Sequence, residues 1–144
     1  MQIKVIGLTA TILVALSISG AMPVVAHHSH AMYESNAPIQ LEGTVKEYIW
    51  ANPHVWIYVE IPDENGQPVE WILESQAPAS LARQGWSPQS MKAGDLVTVT
   101  IGPLKDGTSG GLLGAVVFSD GSALTTTALD NNTDLTDAQV FGIE

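Results

Sequence analysis

His54-Val55-Trp56-Ile57-Tyr58-Val59-Glu60-Ile61 decides the fold. Val55, Ile57, Val59 and Ile61 fall on one side of an extended chain, and His54, Trp56, Tyr58 and Glu60 on the other. That period of two is the spacing of a half-buried strand, and its β-branched and aromatic content agrees. Upstream, Trp50-Ala51-Asn52-Pro53 breaks the chain, because proline lacks a backbone donor and pushes its predecessor out of the helical region. Downstream, Asp63-Glu64-Asn65-Gly66 is a hairpin signal.

Working outward, Ile39 to Lys46 alternates in the same way, with Gly43 placed for a bend that a neighbouring strand approaches closely. Val69 to Glu74 predicts a third strand. Ala77 to Gly85 predicts a short helix, with Pro78 in its first turn, Gly85 as its left-handed cap and Trp86 packing just beyond. Asp95 to Ile101 and Leu112 to Phe118 predict two more strands around the glycine-rich loop Asp106 to Gly111. After the Asp120-Gly121 turn, Ser122 to Thr126 predicts a short sixth strand. This order is all-β with one short helix, and it matches a small five-stranded Greek-key barrel of the oligonucleotide/oligosaccharide-binding (OB) type. Closure would dispose of the sheet edges. An open α+β sandwich is the alternative, since element order does not set strand pairing.

The flanks differ in composition from this β segment, residues 39–126. Lys4, the apolar run Val5 to Ile18 and the small-residue ending Val24-Val25-Ala26 have the anatomy of a secretory signal peptide, residues 1–26. Cleavage after Ala21 or an uncleaved anchor are the alternatives. Cleavage after Ala26 predicts a periplasmic or secreted protein with a histidine-rich arm, residues 27–38, and no stable membrane insertion. Residues 127–144 are acidic and amide-rich without an apolar period, which predicts a mobile tail.

The chain has 144 residues, enough for one domain, with 5 Lys+Arg against 15 Asp+Glu and a formal net charge of −10. Such a surface repels nucleic acid and anionic membranes. Cysteine is absent, so disulfides, thiolate metal sites and lipidation of an N-terminal cysteine are excluded.

His27-His28-Ser29 directly after the leader, Gly43-Thr44-Val45, Asn52-Pro53-His54-Val55-Trp56, Gly85-Trp86, Gly94-Asp95-Leu96-Val97-Thr98-Val99 and Asp106-Gly107 form one pattern. The stretch carrying it resembles a family of small, exported bacterial proteins known as a domain of unknown function. The resemblance implies export and a compact β domain, and it brings no activity or catalytic residue. The residues after Thr127 extend past the family's usual end.

The candidate chemistry lies in the histidines. His27, His28 and His30 crowd the start of the processed chain, and His54 opens the second strand. Imidazole ligates copper and zinc. With His27 as the first residue, its α-amine and side chain could form the two arms of a histidine brace, and His54 could supply a third nitrogen. Cleavage one residue earlier would give Ala26-His27-His28, a square-planar copper(II) chelate. Met32 is a candidate soft ligand and equally a packing residue. The plain alternative is a solvated arm, with His54 capping its strand near Asn52.

Trp50, Trp56 and Tyr58 are candidates for a ligand surface, since strands two and three of such barrels often face ligands. Core or lid packing is their alternative role. Asp106-Gly107-Thr108-Ser109-Gly110-Gly111 superficially resembles a protease nucleophile loop, but the chain is too short for that fold and reads better as a strand connection. Glu42, Glu47, Glu60, Glu70 and Glu74 read as solvated strand faces. The expectation is a periplasmic, non-enzymatic module binding copper or zinc, with a metal-free domain for a peptide, glycan or protein partner as the alternative. Oxidative copper chemistry stays third.

Overall fold

The structure, a computed structural model, describes residues 30–129. Its organising element is β1, Ile39–Ile49, which is long enough to serve two neighbours. Ile39 to Thr44 pairs antiparallel with β4, Leu96–Pro103, and Thr44 to Ile49 pairs antiparallel with β2, Trp56–Pro62. Between these halves the strand must bend sharply. A bulge between Val45 and Glu47 shifts the register, and Gly43 lets the next strand come close. A Cβ at Gly43 would sit 2.6 Å from the Glu60 carbonyl oxygen.

β2 pairs antiparallel with β3, Pro68–Glu74, through a turn in which Asp63 Oδ1 accepts the backbone N–H groups of Asn65 and Gln67. Gly66 there has φ 76°, the left-handed conformation the hairpin signal requires. β4 pairs antiparallel with β5, Gly110–Phe118. β5 then runs parallel to β3 through Ile72↔Gly110, Leu73↔Gly111 and Glu74↔Leu112. That short seam closes the ring in the order β1-β2-β3-β5-β4-β1, a five-stranded barrel, and rules out the open sandwich. β6, Ala123–Thr125, adds to β5 outside the ring.

The alternation read in β2 sets the core. Val55, Ile57, Val59 and Ile61 are buried inward with Val45, Leu73, Val97, Val99, Ile101, Leu113 and Val116. Burying each such side chain contributes about 1.5–3 kcal/mol. Leu81 of the short helix α1, Pro78–Ala82, and Trp86 complete the same core. Gly85 caps that helix at φ 89°, the Trp86 N–H donates to Leu81 O, and the indole N–H donates to Thr125 O at 2.8 Å. Asp106 Oδ1 accepts both the N–H and the hydroxyl of Thr108, so the glycine-rich loop is an ordered strand connection.

The flanks contribute a second, smaller core. His30–Met32 forms a 3-10 turn, and Tyr33 then bridges Leu104 while Glu34 N–H donates to Pro103 O. Tyr33, Leu112, Ala128 and Leu129 are buried together against Leu104. Gly102 and Gly114 make room for Leu129: a Cβ on Gly102 would lie 2.9 Å from Leu129 Cδ2, and one on Gly114 would overlap the same side chain. Packing thus continues past the boundary expected at Thr127, because Ala128 and Leu129 find an apolar socket that tail composition does not reveal. The leader, His27, His28 and residues 130–144 lie outside the described residues. Among the described residues, no helix is long and apolar enough to cross a membrane.

Candidate functional site

Two backbone bonds, Val55 N–H to Gln76 O and Ser75 N–H to Val55 O, carry the β2–β3 ladder one step beyond the start of β2. They fix His54 at the mouth of that strand pair. The His54 ring Nδ1 lies 2.9 Å from the Ser75 carbonyl oxygen and 3.3 Å from Glu74 Oε1. Both neighbours are acceptors, so Nδ1 carries the proton and donates, which makes Nε2 the basic nitrogen of the neutral ring. The side chains of His54 and Glu74 are 23% and 13% exposed, so the pair is largely shielded from water.

The second oxygen of the same carboxylate, Glu74 Oε2, accepts the Tyr33 hydroxyl at 2.5 Å. Burial, then the hydrogen bond to Glu74 and its negative charge, push the Tyr33 phenol well above its ordinary pKa. Tyr33 stands three positions after His30, within the arm. One carboxylate therefore joins the arm to His54. The sequence reading missed both connecting residues. Strand alternation groups Glu74 with the solvated carboxylates, and Tyr33 sits in a segment without apolar period. An isolated aromatic in a polar arm was the one available sign that something there docks.

Close by, Gln76, Gln84 and Thr127 bind the helix and the C-terminal segment together. Gln84 Nε2 donates to Gln76 Oε1, Gln76 Nε2 donates to Thr127 Oγ1, and the Thr127 N–H donates to Gln84 Oε1. The site is thus framed by the β2–β3 ladder, by the arm through Tyr33 and by this amide network. Of the four candidate ligands, His54 is placed on the barrel, and His30 lies in the turn that leads to Tyr33. His27 and His28 fall outside the described residues. Among the described residues, no three His, Cys, Asp or Glu side chains cluster as a metal cage. Met32 is exposed, and its carbonyl accepts the Lys105 N–H.

The aromatic candidates divide. Trp56 and Tyr58 lie on the outward side of β2, as the alternation predicts, and both are half-buried. Trp50 packs against the main core and meets Tyr48 with ring centroids 6.1 Å apart. It covers the barrel and does not join the other two. A groove of about 370 Å³ lies elsewhere, over Gly43, Glu60, Leu96 and Phe118, and does not reach His54.

A family model described as a family of unknown function (DUF6152) matches residues 15–115, most of the chain. No curated protein and no solved structure matches it.

Proposed function

The chain belongs to that family of unknown function, so its role has to be sought in its own residues, and we propose an exported binding module that holds one copper or zinc ion between His54 and the processed N-terminus. The observation that carries this reading is the hydrogen bonding of His54. A metal-binding imidazole characteristically donates its other N–H to a carbonyl or carboxylate, which fixes the tautomer and strengthens the ligating nitrogen. His54 Nδ1 faces one of each. Tyr33 ties the histidine-bearing arm to the same carboxylate, which supports His27, His28 or His30 and the terminal amine as the remaining ligands. The bound ion would act as cargo or as a structural link between arm and barrel. The net charge of −10 favours capture of a cation. Export rests on the signal-peptide anatomy of residues 1–26 and on the periplasmic context it implies.

The test is isothermal titration of copper(II) and zinc into protein whose first residue is His27. Binding should be near one ion per chain and should weaken as pH falls through about 6.5, where imidazole protonates. His54→Ala should lower affinity at least tenfold, and Glu74→Gln by roughly 10–100-fold, the usual effect of losing a partner behind a ligand. Affinity no tighter than that of a short unstructured histidine peptide, or indifferent to His54→Ala, would overturn the reading.

A further inference from the structure

The outward face of β1, β2 and β3 carries an apolar stripe inside an acidic field, and of these residues only Glu74 belongs to the site at His54. The registers set Ile49, Trp56 and Glu74 in one cross-strand row and Glu47, Tyr58 and Ile72 in the next. Ile72 is 41% exposed although its strand is paired on both sides at that point, and it lies beside Tyr58 in that row. The following row places Glu60 directly opposite Glu70. Like charges facing across a ladder destabilise it. Lys46, set in the β1 bulge, offsets this with its Nζ 2.6 Å from Glu70 and 3.8 Å from Glu60, and the bond to Glu70 chiefly raises the lysine's pKa. Across the three strands the carboxylates are Glu42, Glu47, Glu60, Glu70 and Glu74, and Lys46 is the sole cation.

This combination selects its partner by charge. A second copy of an acidic chain would bring like charge to like charge, and anionic lipid or nucleic acid would be repelled. We propose that the face docks a cationic peptide segment of a partner protein, one that sets Lys or Arg beside aliphatic side chains. The aliphatic groups would cover Trp56, Tyr58 and Ile72, the cations would meet the surrounding glutamates, and the two rings add cation–π attraction. The proposal is independent of the metal reading.

The experiment measures fluorescence anisotropy of two labelled synthetic peptides, a Lys-Leu repeat and a Glu-Leu repeat of equal length, titrated with the full-length processed protein. The Lys-Leu peptide should bind at least tenfold tighter than the Glu-Leu peptide, and its affinity should fall with added salt. Tyr58→Ser with Ile72→Ser should lower its affinity tenfold or more while the circular dichroism spectrum is unchanged, which reports that the fold is intact. Glu42→Gln with Glu47→Gln leaves the apolar stripe whole and should weaken binding by a smaller factor. Asp120→Asn, in the turn between β5 and β6, should have no effect. Equal binding of both peptides, equal loss in the Asp120 variant, or Lys-Leu binding indifferent to the Tyr58 and Ile72 changes would overturn the proposal. Self-association abolished by those same two changes would overturn it in favour of a second copy.

Discussion

At the scale of single residues, one carboxylate accepts from two groups that are far apart in sequence. Glu74 receives the Tyr33 hydroxyl on one oxygen and faces His54 Nδ1 with the other. Because Tyr33 holds its proton more tightly in the folded chain than a free phenol does, its contribution to stability is complete below about pH 10. It is lost as pH rises through the higher folded value. Alkaline melting curves should therefore steepen above about pH 10, and Tyr33→Phe should remove that part of the dependence. The same substitution should destabilise the protein at neutral pH by about 1.5 kcal/mol, the scale of a hydrogen bond to a charged acceptor, as read by denaturant unfolding. His54 was legible as a candidate ligand from its residue type and position. Glu74 was not, because strand alternation says only that a side chain points outward and not that another segment lies over it.

At the scale of elements, β1 shows what alternation carries and what it omits. The inward set of β2 and the bend at Gly43 follow from residue type and spacing. The extension of β1 to Ile49 does not, because the bulge between Val45 and Glu47 resets the period and interrupts the pattern. The start of β2 at Trp56, later than the alternation from His54 predicts, has a similar origin: sequence pattern reports side-chain direction, whereas strand ends depend on which backbone groups find partners. Gly43→Ala tests the bend. Its methyl would meet the Glu60 carbonyl oxygen and the side chains of Val59 and Ile61, so β1 and β2 would have to separate. Unfolding in urea should show a loss of about 1–3 kcal/mol, the cost of overpacking, with an unchanged slope.

At the scale of the molecule, closure depends on the three-residue parallel seam between β3 and β5 and on the small core built from both flanks beside it. The order of elements made a barrel the better expectation. The seam itself joins residues nearly forty positions apart and has no local signature, and the socket for Leu129 exists only once Gly102 and Gly114 have been brought side by side. Two truncations separate the flank from the residues beyond it. Ending the chain after Leu129 keeps the small core, whereas ending it after Thr127 deletes Ala128 and Leu129. The second should melt roughly 10 °C below the first, since losing a buried leucine costs about 2–3 kcal/mol in a domain of this size. Scanning calorimetry of the pair measures the difference directly.

The small core also dictates an order of events during synthesis. Tyr33 leaves the ribosome long before Leu112, Ala128 and Leu129, yet its pocket is made from those three. Tyr33 therefore has no complete pocket to seat in until the chain has been made past Leu129. Seating the arm is then a late step, which marks a finished molecule.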